Sequence, residues 1–407
     1  MNTCKETKMT FGRVIAFGLL ACLLYGVGAG LRADIGILLV PLSQHSGVSY
    51  EDVSFCIAVM QLVFGLMQPV FGIIAGRRSN RFVLGLGVTM MLLSLAGMML
   101  AQSFALLLLS LGIFFGCGAG ALAFGLILTS ATYFVGQHYA MMISGMLNAS
   151  AGMVGFVLSP LLQFFIGRGG AVSALLSLIV PVVLLIPVAL IVTSRDPKRR
   201  DIQADGGEKD LSLASLGKAF HNRTFLLLLS GFSTCGFHMV IIESHLFSQF
   251  VHYGIEPEAA SWAFSVYGIA TICGALLSGV LCNTLSKGKI LAFLYGFRAV
   301  WVALYLFIMP KTFLTAVVFA TGLGMTGDAT VSPTAGLVSE NFTLRQVATL
   351  MGVLFLAHQV GAFFSAWFGG VLLAATGGYV TIWLIDIALC LFASIVSGCI
   401  QRKGVTV

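Results

Sequence analysis

Nine ionisable side chains stand inside or at the ends of long apolar runs: Arg32, Asp34, His238, Glu243, His245, Arg298, Asp328, His358 and Asp386. An ionisable group in a membrane interior costs about 2.5–3.5 kcal/mol on insertion scales, so it normally faces a wet cavity, a partner or a ligand. The types present define the chemistry. An arginine in a low-dielectric pocket offers a carboxylate two parallel hydrogen bonds from a planar fork. Histidine and carboxyl groups can carry a proton between states. No G-x-x-x-x-G-K-[ST] phosphate loop occurs, so nucleotide-driven chemistry has no support. The nine cysteines are scattered, with no C-x-x-C pair and no Cys/His cluster. They read as small buried hydrophobes, and no metal or cofactor is expected.

The elements that must position these groups follow from composition. Of 407 residues, 58% are hydrophobic and 9% charged, and the mean hydropathy is +1.01. A soluble domain carries about 25% charge. A water-soluble enzyme, a nucleic-acid binder and a disordered scaffold are thereby excluded. The net charge of +7 lies in short clusters between apolar runs, which is a topology signal and not a nucleic-acid footprint.

A helix needs about 20 apolar residues to cross the hydrocarbon core. Twelve segments qualify: 11–43, 50–76, 80–100, 104–134, 137–167, 171–193, 223–252, 257–285, 288–309, 312–340, 344–375 and 379–401. The first is too long for a signal peptide and is expected to be a membrane span. The runs are continuously apolar, which argues against a barrel. Counted at alternate loops and termini, 18 of the 22 Lys and Arg fall on one side. That predicts a multi-pass protein of the cytoplasmic membrane with both termini in the cytoplasm. The charged stretch 194–222 reads as a cytoplasmic linker between a bundle of residues 1–193 and another of residues 223–407.

Shifted by 207 positions, the halves align. Gly47 meets Gly254, Glu51 meets Glu258, Ser54 meets Ser261, Gly72 meets Gly279, Gly120 meets Gly327 and Gly145 meets Gly352. A parallel repeat of two six-helix halves resembles the architecture of the major facilitator superfamily. The run Gly72 to Arg81, GIIAGRRSNR, is similar to that superfamily's loop motif G-x-x-x-D-R-x-G-R-R. Gly72, Arg77 and Arg81 match it. Gly76, Ser79 and Asn80 replace the acid, the second glycine and the first closing arginine. The resemblance implies an all-α fold of twelve transmembrane helices in two pseudo-symmetric bundles, with Gly72, Arg77 and Arg81 as a conformational latch. The runs YGVGAGLRADIGILLVPL, CGFHMVIIESHLF, YGFRAV and AHQVGAFF resemble a bacterial branch near the oxalate/formate antiporters and monocarboxylate porters. That resemblance implies a small organic anion as cargo, coupled to protons or to exchange. The arginine typical of span 8 in those antiporters is absent here.

Depth sorts the ionisable groups. His238 lies 15 residues past Arg223 and His358 13 past Arg345, roughly 22 and 20 Å deep and near mid-membrane. Arg298 lies nine past Lys289, roughly 14 Å deep, and Arg32 19 past Arg13, roughly 28 Å. Sites in such repeats sit near the midplane between halves. Arg32, His238, His358, Gln61, Asn148 and Tyr25 are therefore the candidate substrate-binding residues, with Arg32 the main anion-binding cation. Glu243, Asp328 and His245 are candidates for proton coupling. Glu243 is alternatively an ion-pair partner for Arg32, and Arg298 pairs with Asp328. The seven-residue spacing of His238 and His245 places them on one helix face.

These readings converge on a secondary transporter of a small organic anion, a monomer in the lipid bilayer, without enzymatic activity. A proton-driven efflux pump for hydrophobic or cationic compounds is the nearest alternative. A transporter-like ligand sensor is the alternative of another class.

Overall fold

The computed structural model describes residues 10–196, 217 and 219–400. Most of the expected linker 194–222 lies outside the described residues, as do Lys5, Lys8, Arg402 and Lys403. The described regular structure is helical throughout. Eleven helical runs are long and apolar enough to cross a membrane. One of them, Gln137–Val192, has 56 residues, about two crossings. It is interrupted at Gly169 and at Gly170, whose φ of 63° and ψ of −156° belong to a region open essentially to glycine alone. The chain turns back there, so the run makes two passes.

The passes are α1 (Phe11–Ala33), α2 (Tyr50–Arg77), α3 (Asn80–Leu100), α4 (Phe104–Val135), α5 (140–168) and α6 (171–192). The second set is α7 (Arg223–His252), α8 (Pro257–Leu281), α9 (Lys287–Phe307), α10 (Phe313–Asn341), α11 (Leu344–Thr376) and α12 (Val380–Gly398). The first expected span, 11–43, is not one helix. After Ala33 the chain makes a 3-10 turn (Ile35–Leu38) and a short helix (Leu39–Ser46), which stops on Gly47 at φ 69°. A left-handed glycine is the usual way to end a helix. Polar caps start several passes: the Ser49 hydroxyl accepts from the Asp52 amide, Ser79 from Phe82 and Thr312 from Thr315.

Packing within each half repeats. A Cβ on Gly26 or Gly30 of α1 would strike Val154 of α5, and one on Gly236 of α7 would strike the His358 carbonyl of α11. Gly116 of α4 lies against Met60 and Val63 of α2, as Gly274 of α8 lies against Met325 of α10. Arg81 of α3 bonds Thr193 and Leu190 at the end of α6, and Ser394 of α12 bonds Ala292 of α9. Small residues let helices approach where lipid gives no hydrophobic drive for association. The pairings 1–5, 2–4 and 3–6 recur as 7–11, 8–10 and 9–12, which is the two-fold repeat in three dimensions. Apolar residues such as Leu100, Leu276, Phe293 and Ile395 form the exposed exterior, as lipid contact requires.

The two halves meet through α2 with α11 and α5 with α8. These contacts run from the middle of the bundle to the end opposite the chain termini, the distal end. Gly152 of α5 and Gly268 of α8 are so close that a Cβ on Gly152 would stand 2.2 Å from the Gly268 carbonyl oxygen. Further out, Ser265 donates to the Phe156 carbonyl at 2.6 Å, and the Phe55 ring lies 5.5 Å from that of Trp367. Gly370 of α11 lies against Ser54 of α2, and Gly36 against the Glu243 and Ser244 carbonyls. Toward the terminal end the picture reverses. Gly65 of α2 lies against Gln359 of α11, yet Gly72, Gly352 and Gly145, seven residues from Gly65, Gln359 and Gly152 on the same helix faces and toward the terminal end, have no neighbour within 4 Å of a Cβ position. The bundle is closed at the distal end and splayed at the terminal end.

Candidate functional site: the closed end of a central cleft

Arg32, in the last turn of α1, reaches across to α7. Its Nη1 donates to Glu243 Oε2 at 2.8 Å and its Nη2 to Oε1 at 3.2 Å, a two-pronged pair between the halves. Gln61 of α2 completes the group: its Oε1 accepts from Arg32 Nη1 at 2.9 Å and its Nε2 donates to Glu243 at 3.2 Å. The Phe64 ring lies 5.0 Å from the guanidinium carbon, a distance at which the ring face attracts a cation. Gln61 and Phe64 are three residues apart on α2 and so share a face. Glu243 is 4% exposed, whereas Arg32 keeps 19%, so the cation is the partner still reachable from the cleft.

Below this cluster lies Asp328, in a 3-10 turn (Asp328–Thr330) that breaks α10. Its flanks Gly327 and Ala329 are buried while Asp328 itself is exposed. It lies within electrostatic reach of Arg32, His358 and Arg298 on three other helices. An acid enclosed by helices yet open to solvent lines a cleft. His358 of α11 is half-buried there, its ring 5.1 Å from that of Phe232 and its Nδ1 without a protein partner. Tyr25 of α1 feels Arg32, Asp328 and Glu243, and its ring meets Phe124 edge-on. Asn148 is exposed on α5, and no described residue hydrogen-bonds to it. Arg32, Gln61, Glu243, Tyr25, Asp328 and His358 thus gather from five helices of both halves. They can bind a charged group of either sign and accept a proton.

A family model described as Major Facilitator Superfamily matches residues 17–256 and 247–402. The chain belongs to this superfamily. It is 24% identical over 398 residues to "Uncharacterized MFS-type transporter YcxA" of Bacillus subtilis (strain 168), covering 94% of this chain and 93% of that protein. It is 22% identical over 335 residues to "MFS-type transporter 1" of Ophiocordyceps sp. (strain BCC 1869), covering 82% and 72%. The solved structure "Inward open conformation of the xylose transporter XylE from E. coli" superposes with a TM-score of 0.70 at 12% identity, covering 96% of this chain and 97% of that one. Family and fold are those of transporters, not enzymes.

The superfamily's loop motif holds here to its own half. Arg81 bonds α6 through Thr193 and Leu190, and Asn80 donates to Ser130, which in turn donates to Asp196. Arg77 is exposed at the end of α2 and Gly72 opens on empty space.

Three placements differ from the sequence reading. His238 does not reach the cleft: it is 0% exposed, with Nδ1 2.8 Å from Asp386 Oδ2 of α12, and Cys390 beside both. His245 is also buried, between Tyr50 Oη at 2.9 Å and the Ala366 carbonyl at 2.9 Å. Seven residues restore a face only in an unbroken α-helix, and α7 makes a π turn over Ile242–Leu246. The wider turn alters the register, so His238 meets α12 whereas His245 meets α2 and α11. Arg298 does not pair with the Asp328 carboxyl; it bonds backbone carbonyls next to it. The sequence carried no signal for Tyr50, which also bonds Tyr379 Oη at 3.1 Å, nor for Ser159, which donates to the buried Asp34 at 2.9 Å.

Proposed function

We propose that this transporter moves a small organic anion, a carboxylate, by alternating access and with a coupled proton. The observation that carries this reading is the Arg32–Glu243 pair, in which a carboxylate already occupies the guanidinium fork at the closed end of the cleft. A cargo carboxylate can take the place of Glu243 on Arg32 with the same two-bond geometry. Glu243 then loses its counter-charge and becomes a proton acceptor. Because the pair joins the two halves, the exchange also loosens the distal closure, so binding and opening are linked. Asp328 and His358 supply further proton-accepting groups in the same cleft.

The protein sits as a monomer in the cytoplasmic membrane, with its termini and the splayed end in the cytoplasm. The basic residues Arg77, Arg78, Arg81, Arg195, Lys287 and Lys289 at that end support the orientation, as does the likeness to a structure titled inward open. The resemblance to the oxalate/formate and monocarboxylate branch supports the cargo class.

The test is uptake of radiolabelled monocarboxylates into proteoliposomes under an imposed pH gradient. Uptake that depends on the gradient and is lost in Arg32→Ala is expected. Undiminished carboxylate uptake in Arg32→Ala overturns the assignment. One observation favours a second reading: the open Asp328 carboxyl also suits an efflux pump for lipophilic cations. Competition by tetraphenylphosphonium in place of carboxylates distinguishes that case.

A further inference from the structure

The backbone around Asp328 is tied down on both sides while its carboxyl is left open. Arg298 of α9 is 0% exposed, and among the described residues no carboxylate meets its guanidinium. Its Nη2 donates to the carbonyls of Thr326 and Gly327, the latter at 2.9 Å. Its Nη1 reaches Cys235 Sγ at 3.3 Å, and that sulfur lies 3.2 Å from Thr330 Oγ1. Ser278 of α8 donates its hydroxyl proton to the Ala329 carbonyl. Residues 326, 327, 329 and 330 are therefore held by α7, α8 and α9, and residue 328 alone faces the cleft.

The arrangement has a physical cause. The last carbonyls of a helix lack intrahelical partners and carry partial negative charge. The first stretch of α10 ends at Thr326, so its end is such a site. Nη2, with two N–H groups, caps it while Nη1 holds Cys235, and the carbonyls in turn offset the buried positive charge. Close packing fixes the position: a Cβ on Gly327 would stand 3.1 Å from Met239 Sδ and 3.3 Å from Tyr267 Oη.

We propose that Arg298 is a positioning residue that, with Cys235 and Ser278, clamps the break in α10 so that Asp328 presents its carboxyl to the cleft as a proton acceptor. The role of Asp328 rests on the cleft being the transport path, but the test needs no cargo. A carboxylate reading that failed would leave its outcome unchanged. The groups facing Asp328 are Arg32 and Tyr25 of α1, Tyr267 of α8, Arg298 of α9 and His358 of α11, with Glu243 of α7 behind Arg32.

Dicyclohexylcarbodiimide converts protonated carboxyls in apolar settings to stable N-acylureas. The full chain in detergent is labelled across a pH series, and adducts at Asp328 and Glu243 are quantified by peptide mass spectrometry. A lysine nitrogen can hold both carbonyls, as Arg298 does through Nη2 alone, but lysine has no second terminal nitrogen to reach Cys235 Sγ at the same time. Arg298→Lys is expected to lower Asp328 labelling about tenfold, the scale of one lost charge-assisted hydrogen bond, and to displace its pH profile. Glu243 labelling stays as in the parent. Cys235→Ala, a milder change, shifts Asp328 in the same direction. Unchanged Asp328 labelling in both variants overturns the proposal. So does a change at Asp328 and Glu243 in step, because Arg298 then braces the bundle and does not aim one residue. Should Arg298→Lys fail to fold, Cys235→Ala decides by the same criteria.

Discussion

A guanidinium and a carboxylate facing each other across two halves of a molecule hold a shared dependence. Removing one partner of a buried pair leaves the other charge uncompensated, about 3–5 kcal/mol in the interior, less here because Arg32 keeps 19% exposure. Arg32→Met and Glu243→Met should each lower the melting temperature in detergent. The double variant should recover most of the loss, since apolar replacements of both partners are often neutral. None of the three should take up carboxylate, and a double variant no more stable than the singles sinks the ion-pair account. The His238–Asp386 pair, both 0% exposed, behaves differently. Asp386→Asn should lower the melting temperature in detergent, because it removes the charge-assisted partner of a fully buried ring, and an unchanged melting temperature contradicts a structural pair. Arg32, Glu243 and Gln61 were legible as chemistry because charge and amide in an apolar run are conspicuous. Their mutual contact was only partly legible: depth along a helix follows from 1.5 Å per residue, but azimuth does not survive a π turn. His238 and His245 mark where that limit fell.

At the scale of the element, the glycines carry two kinds of information. Gly152 and Gly268 are needed for the contact that exists, whereas Gly145 and Gly352 face empty space. If the terminal end closes in the alternate state, the second kind is needed for the contact that does not yet exist. Gly145→Leu and Gly352→Leu should then leave thermal stability within about 0.5 kcal/mol, as at ordinary surface positions, and yet abolish transport. Normal transport by both variants contradicts closure at that end. The spans themselves were legible from hydropathy because a helix must satisfy its own backbone in lipid. The break in α10 was signalled by Gly327 and Pro333. The turn at Asp34 was not, because nothing in LRADIGIL distinguishes a 3-10 turn from a continuing helix.

At the scale of the whole molecule, the closure at one end is an equilibrium position that one added side chain can shift. A Cβ on Gly370 would stand 2.6 Å from the Ser54 Cβ across the halves at the distal end, so any larger residue there acts as a wedge. Gly370→Leu should stop transport by holding the distal end apart. A cysteine placed at Ser54, in a background with the exposed Cys273 and Cys399 replaced, should then react faster with a membrane-impermeant maleimide in the Gly370→Leu protein than in its parent. Normal transport by Gly370→Leu, or equal labelling in the two, contradicts the closure. The two-fold repeat was legible at a constant offset of 207 because both halves build the same helix pairings. Which end is open was not legible, since glycines occur toward both ends, Gly36 and Gly370 at one and Gly72 and Gly145 at the other.

The Gly152–Gly268 contact sits near the midpoint of both its helices and acts as a fulcrum. The ends of α5 lie roughly 18–24 Å from it at 1.5 Å per residue, so a tilt of about 10° displaces each tip by roughly 3–4 Å, in opposite senses. A lever pinned at its centre cannot lift both arms. Whatever traverses this membrane therefore meets one barred door whenever the other stands ajar, and the seal against free leakage is a property of the pivot and not of any single side chain.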